Sequence, residues 1–275
     1  MRLVAFICIC MLFEPILAQT TINFENVAKQ IATIKQKAKM LSIDKLGNIY
    51  VVTTTNQLYK YSSNGTLLST LNFNYSGNIT SLDVTNPLEI YVFYQELNTI
   101  VFLDNNLAFR GKIDLGNSGI HQAFAIARSY ENGIWVFDAT DLMLKKLDKE
   151  GNITQTSGNI RQYINANFKP QCIIDDGLNV FISDSGSFIL HFDVFANYKK
   201  NIPAKNSMLI GSGKNTIHVL QQNSLAFYKL KPFGLLLNYI FNNLYNTAAM
   251  SGAVVAIANN NEVVIYKLET QPVAE

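Results

Sequence analysis

Hydrophobic residues between Leu41 and Phe73 fall into four short runs that are separated by turn signals. The runs are Leu41–Ile43, Ile49–Val52, Gln57–Tyr61 and Thr66–Leu71. Gly47 and Gly65 lie in two of the connections beside asparagine, and both residue types accept positive φ angles at little cost. The pattern predicts four antiparallel strands joined by tight turns, which is the layout of one β-propeller blade.

The same pattern recurs along the rest of the chain, and the second strand of each unit shows its phase most clearly. The first apolar residues of these strands are Ile49, Ile90, Ile134, Val180 and Ile217, at intervals of 41, 44, 46 and 37 residues. Propeller blades are repeats of about 40–50 residues. We therefore predict an all-β fold, a six-bladed β-propeller of four-stranded antiparallel blades.

The sixth repeat, from Ala248 to Leu268, supplies only three predicted strands. We predict that an N-terminal strand closes the ring as the fourth strand of this blade, because closure leaves no open sheet edge. Thr21–Phe24 and Gln30–Ile34 are the two candidates for this strand. A short helix within Asn26–Ala38 is the alternative, since the apolar residues of that segment also have helical spacing.

The N-terminus has the composition of a secretory signal peptide. Arg2 precedes the apolar run Leu3–Phe13, and the small residue Ala18 precedes Gln19. We predict cleavage after Ala18, which makes residues 1–18 the signal peptide and residues 19–275 a single propeller domain of a secreted or periplasmic protein. The apolar run is shorter than the roughly 20 residues that span a bilayer. We predict no transmembrane segment in the mature chain.

Cysteine usage and charge narrow the possible functions. Cys172 is the one cysteine left after cleavage, so an intramolecular disulfide is excluded. Its apolar neighbours favour a small buried hydrophobe rather than a nucleophile. The net charge of +2 is too small and too dispersed to indicate a nucleic-acid partner.

The repeat resembles the six-bladed propellers of the NHL and TolB-like type, especially those of exported bacterial proteins. The resemblance rests on Asp44-Lys45-Leu46-Gly47-Asn48-Ile49-Tyr50-Val51, with Gln57–Tyr61 and Asn64-Gly65 following. It extends over the mature chain and weakens towards the C-terminus. The resemblance implies an architecture and not a chemistry, because such propellers include scaffolds, ligand binders and enzymes.

The sequence offers few groups from which a catalytic centre could be built. His191 and His218 fall within predicted strands of different blades, which favours structural roles, whereas His121 precedes an inner strand near the channel mouth. No serine nucleophile motif is present. We identify no catalytic residues and no cofactor site.

Three aspartates end or follow inner strands, in three different repeats. They are Asp44, Asp83 and Asp175. Calcium takes about six to eight oxygen ligands from a tight cluster, and these positions do not converge on one ion. We therefore expect no metal site.

In a four-stranded meander, the connections to the next blade and the loops between second and third strands emerge on one side of the disc. We call this side the loop face. Its predicted loops are polar, and the side chains best suited to anchor a partner are Tyr94, His121, Phe168 and Lys169.

Our first hypothesis is a non-enzymatic exported scaffold that binds a protein or a cell-envelope component through the loop face, as a monomer or as a subunit of a complex. The alternative is a hydrolase or small-ligand-binding propeller that uses the central channel. Three or more acidic or histidine side chains that point into one channel mouth would favour the alternative, and a smooth, neutral channel would favour the first hypothesis.

Overall fold

Short apolar runs bounded by turn residues form strands throughout the part of the chain that the computed structural model describes, residues 20–72, 77–164, 168–184, 186–213 and 215–269. The predicted signal peptide, residues 1–18, lies outside the described residues. Twenty-five strands form six sheets, one for each blade, and this arrangement confirms the predicted six-bladed propeller. The described residues contain no helix with the length and hydrophobicity needed to cross a membrane.

Each blade is an antiparallel meander whose first strand borders the central axis. The inner strands are β3 (Ala38–Ile43), β7 (Ile79–Asp83), β11 (Ala123–Arg128), β15 (Cys172–Asp175), β19 (Met208–Gly213) and β23 (Thr247–Ser251). The second strands are β4 (Ile49–Thr53), β8 (Ile90–Tyr94), β12 (Ile134–Asp138), β16 (Asn179–Ser183), β20 (Thr216–Gln221) and β24 (Val254–Ala258). We call the side of the disc that carries the turns between these two sets of strands the turn face; it lies opposite the loop face.

The third and outer strands complete each blade towards the rim of the disc. The third strands are β5 (Leu58–Tyr61), β9 (Thr99–Leu103), β13 (Met143–Leu147), β17 (Phe188–Asp193), β21 (Ser224–Leu230) and β25 (Val263–Leu268). The outer strands are β6 (Leu67–Thr70), β10 (Phe109–Asp114), β14 (Ile153–Thr156), β18 (Tyr198–Pro203), β22 (Phe233–Ile240) and β2 (Ala28–Ile34).

The hydrophobic core lies between the blades. Six buried clusters fill the six interfaces between neighbouring blades. The second strands show why, because their side chains alternate between the two interfaces: Trp135 and Phe137 pack towards the fourth blade, whereas Ile134 and Val136 pack towards the second. A strand covered on both faces reads as a continuous apolar run, which explains the sequence Ile134–Phe137.

The N-terminal segment closes the ring with two strands. β2 pairs with β25 as the outer strand of the sixth blade, which confirms Gln30–Ile34 as the closing strand. The candidate Thr21–Phe24 was wrong for this role, because β1 (Thr20–Asn23) pairs in parallel with β22 at the rim of the fifth blade. The helical alternative was also wrong: strand pairing with β25 prevails over the helical spacing of the apolar residues, and only a short 3-10 turn separates β1 from β2.

Phe24 fastens this N-terminal segment to two blades. Its side chain is buried and its ring contacts Tyr239 and Phe241 of the fifth blade and Tyr266 of the sixth, with centroid distances of 4.8–6.0 Å. The edge-to-face geometry of these ring pairs is favourable. The N-terminal segment is therefore part of the buried cluster between the fifth and sixth blades.

Candidate functional site

A cavity of about 1050 Å³ lies on the axis of the propeller, and all six inner strands contribute to its wall. The lining includes residues at both ends of the inner strands, for example Lys39 and Lys45, so the cavity passes through the disc from the loop face to the turn face. Its volume is at the upper end of the range of about 300–1,000 Å³ that is typical of small-molecule sites. The cavity is therefore the candidate functional site.

The wall of the cavity is largely apolar. Its larger apolar side chains are Met40, Leu82, Phe124, Ile174, Met208, Ile210 and Met250. Its hydroxyl groups come from Ser42, Thr80, Ser81, Thr85, Ser212, Thr247 and Ser251. Methionine side chains are flexible and polarisable, so a wall that contains three of them can adapt to ligands of different shape. This composition suits an apolar or amphipathic ligand.

Cys172 is part of this wall, on the inner strand of the fourth blade. Although the side chain borders the cavity, the surrounding protein desolvates the thiol and raises its pKa to about 12. A thiol with so high a pKa stays protonated at neutral pH and is a poor nucleophile. The structure thus agrees with the hydrophobic role that the sequence favours for this residue.

Two lysines and a glutamine border the mouth at the loop face: Lys39, Lys169 and Gln95. Lys39 directs its ammonium group towards the second blade, where Nζ donates a hydrogen bond of 3.1 Å to the carbonyl oxygen of Ile79. Lys169 is exposed, just before the inner strand of the fourth blade. This mouth of the cavity is consequently basic.

Carboxylates border the opposite mouth, at the turn face. Asp83, Asp175 and Asp176 line this end of the cavity, together with Lys45. Asp83 accepts a hydrogen bond of 2.7 Å from the backbone N–H of Arg128 in the third blade, and Asp175 accepts one of 3.0 Å from the N–H of Tyr130. The carboxylates therefore join neighbouring blades as well as making this mouth acidic.

The structure separates the four predicted partner-binding residues. Tyr94 and Phe168 are buried, with 2% and 5% of their surface exposed, so their side chains are not available on the loop face. Phe168 stacks on Phe188 at a centroid distance of 5.3 Å and fills the interface between the third and fourth blades. His121 and Lys169 are exposed on the loop face, and Lys169 alone of the four borders the cavity.

The other two histidines lie inside blades. Nε2 of His191 is 2.8 Å from Asn179 Oδ1, and the ring stacks on Phe181. The ring of His218 packs near Phe227. Burial lowers the pKa of each imidazole to about 4, so both are neutral at pH 7. Neither residue is among those that line the cavity.

Within the described ranges, no three His, Cys, Asp or Glu side chains are grouped closely enough to hold a metal ion. The residues that form the cavity wall were missed by the sequence analysis, which concentrated on the loops. Successive side chains of an inner strand point to opposite sides, but the sequence does not show which of the two alternating sets faces the cavity.

Comparisons with known proteins identify the architecture. Neither a protein-family model nor a curated protein sequence matches the chain. Solved structures do match, and 980 chains do so significantly, which shows that the fold is widespread and does not by itself select a function. The class that fold and cavity define is the six-bladed β-propeller.

Three of the similar solved structures are proteins of different kinds. A streptogramin B lyase aligns with a TM-score of 0.61 and 12% identity, over 88% of this chain and 97% of the lyase. A catalytically inactive virginiamycin B lyase from Staphylococcus aureus, solved with quinupristin, aligns with a TM-score of 0.57 and 13% identity over 83% of this chain and 79% of its own. A "putative exported protein" from Bacteroides fragilis aligns with a TM-score of 0.56 and 9% identity, over 92% and 99%. At these identities the similarity shows the fold alone.

Proposed function

We propose that the chain is an exported, non-enzymatic binding propeller whose ligand occupies the central cavity. The observation that carries this proposal is the large axial cavity with an apolar wall and mouths of opposite charge. The ligand class it suits is an apolar or amphipathic small molecule. The mature protein would comprise residues 19–275, and the likeness to NHL and TolB-like repeats remains part of the proposal.

Two further observations support binding without catalysis. The cavity wall contains a thiol whose pKa is raised to about 12, and the two buried histidines lie elsewhere, with their rings packed inside blades. The exported neighbour from Bacteroides fragilis supports the compartment, and the lyase of similar fold was solved with a ligand, quinupristin. We expect no turnover of lactones, phosphoesters or glycosides, with or without added calcium.

Partner capture through the loop face is the second candidate function. The exposure of His121 and Lys169 favours it, because both side chains can reach a protein or cell-envelope component. For this candidate we expect that the double substitution His121→Ala and Lys169→Ala weakens capture while leaving the melting temperature unchanged. Tyr94 and Phe168 are better left intact, since their burial makes them part of the fold.

Binding of an anilinonaphthalene sulfonate dye tests the cavity proposal. Ser212 lines the cavity, so Ser212→Phe places a ring inside it, whereas Ser63→Phe adds the same ring to an exposed turn. We expect saturable dye fluorescence with the unchanged protein and with Ser63→Phe, and binding weakened by at least about tenfold in Ser212→Phe. Equal dye affinity in all three folded proteins would contradict a ligand site in the cavity.

A further inference from the structure

Four consecutive blades carry a large apolar side chain at the same place, in the turn between the inner and second strands. The side chains are Leu46, Leu88, Tyr130 and Leu178, which are between 69% and 75% exposed. They recur at intervals of 42, 42 and 48 residues, the length of a blade. All four turns lie on the turn face, around the mouth of the cavity.

Exposed apolar residues are common when they are scattered singly, so the arrangement and not the number is informative. The loop face, by comparison, presents only Leu97 and Leu244 among the large exposed apolar residues of the described chain. Two of the four turns contact each other, those that carry Tyr130 and Leu178. A Cβ atom on Gly177 would lie 3.0 Å from Cδ2 of Tyr130, so this ring rests on the turn that carries Leu178.

The same turns are acidic. The described segments 44–48, 83–89, 128–133 and 175–178 contain six carboxylates and two basic residues, in a protein whose overall charge is +2. Two of these carboxylates already have a basic partner, because Arg128 forms an ion pair of 2.7 Å with Glu89 and Lys146 forms one of 2.5 Å with Glu131. A third, Asp44, is buried. Asp83, Asp175 and Asp176 stand at the cavity mouth itself. The turn face thus combines exposed apolar side chains with negative charge.

We propose that the turn face is a docking surface for a basic, amphipathic polypeptide segment. Apolar side chains of the segment pack between Leu46, Leu88, Tyr130 and Leu178, and its lysine or arginine side chains face the carboxylates of the turns. This surface surrounds the mouth of the cavity opposite the loop face. Leu46, Leu88 and Tyr130 are not part of the cavity lining, so the inference does not depend on a ligand in the cavity.

Charge selects this occupant over two others. A second copy of the chain placed face to face would bring one acidic rim against another, and like charges across an interface are unfavourable. An anionic membrane surface would repel the same rim. A segment that carries basic and apolar side chains together is complementary to both features of the surface.

Peptide binding by the mature protein tests the proposal. The probes are three synthetic peptides of equal length: one of lysine and leucine, one with glutamate for lysine, and one with serine for leucine. The test variant is Leu46→Ser/Leu88→Ser/Leu178→Ser, and the matched control is Leu67→Ser/Leu68→Ser on the outer strand β6, where both leucines are about half exposed. Because all five leucines are exposed, both variants should fold, and thermal unfolding verifies this.

We expect the lysine–leucine peptide to bind more tightly than the other two, with an affinity that falls as salt is added. The triple variant should bind at least about tenfold more weakly, whereas the β6 control should bind like the unchanged protein. Equal affinity for all three peptides, or undiminished binding by the triple variant, would overturn the proposal. Binding to phosphatidylglycerol vesicles in preference to the peptide would overturn it in favour of a membrane surface.

Discussion

The indole N–H of Trp135, in the second strand of the third blade, donates a hydrogen bond of 2.7 Å to Asp175 Oδ2, at the end of the inner strand of the fourth blade. The same oxygen accepts the backbone N–H of Tyr130 over 3.0 Å. Asp83, at the end of the inner strand of the second blade, accepts the backbone N–H of Arg128 in the third blade over 2.7 Å. Carboxylates at the ends of inner strands therefore fasten successive blades together beside the cavity.

Two replacements of Trp135 should separate the contribution of its hydrogen bond to Asp175 from that of its apolar contacts. Trp135 is fully buried, so Trp135→Ala should cost about 3–5 kcal/mol in the free energy of unfolding. Trp135→Phe keeps most of the apolar contact and should cost less, mainly through the lost hydrogen bond to Asp175. Chemical denaturation measures both values, and unchanged stability of Trp135→Ala would show that the side chain does not support the fold.

Removal of the N-terminal strands should destabilise the ring. A chain that starts at Lys39 lacks β1 and β2, and the third strand of the sixth blade becomes an exposed edge. We expect a much lower melting temperature than for a chain that starts at Gln19. Phe24→Ala in the longer chain should lower the free energy of unfolding by about 3–5 kcal/mol, because it removes the ring contacts between the fifth and sixth blades. Equal melting temperatures for the two chains would refute closure by the N-terminus.

The two buried histidines should make the protein less stable in mild acid. In the folded protein their pKa values are lowered to about 4, whereas an unfolded histidine has a pKa near 6.5. Between these values the unfolded chain binds more protons, so stability should fall as the pH drops from about 6.5 to 4, by up to about 3 kcal/mol for each residue. Replacing both by glutamine should flatten this slope in pH-dependent denaturation. A slope unaltered by the double substitution would assign it to other groups.

Lys145 forms two ion pairs, one with a buried and one with a half-exposed aspartate, and their comparison shows how burial changes the contribution of an ion pair to stability. Burial alone would lower the pKa of Lys145, but hydrogen bonds to Asp138 and Asp141 outweigh this effect and raise it. The side chain of Asp138 is buried and that of Asp141 is about half exposed. Asp138→Ala should therefore cost about 3 kcal/mol or more, and Asp141→Ala less than about 1 kcal/mol. Similar losses for the two variants would contradict this assignment.

The architecture could be predicted because the sequence pattern of the second strands is clear and repeats once in each blade. A segment such as Ile134–Phe137 is apolar throughout and is buried on both faces, and a similar segment recurs once in each blade. The closing strand was found by the same logic, since the last blade lacks one strand. The parallel pairing of β1 with β22 could not be foreseen, because the fifth blade already has four strands of its own and the repeat pattern leaves no strand missing there.

The site was harder to predict for two physical reasons. β-Bulges shift the register in four of the six inner strands, at Met40, Ser81, Ala125 and Gly211, so alternation along the sequence does not reveal which residues face the cavity. Phe168 lies in a long connection and was interpreted as a loop-face anchor. It packs instead between Phe137 and Phe188, where burial of its ring stabilises the interface of two blades.

Native mass spectrometry of the mature protein purified from its own host is the most direct test of the central claim, that the cavity holds a ligand. We predict that the unchanged protein carries the additional mass of a small apolar or amphipathic molecule. The Ser212→Phe variant, whose new ring occupies part of the cavity, should lose this mass while keeping its fold, and Ser63→Phe should retain it. A bare chain mass for the unchanged protein, or the same added mass in Ser212→Phe, would contradict the account.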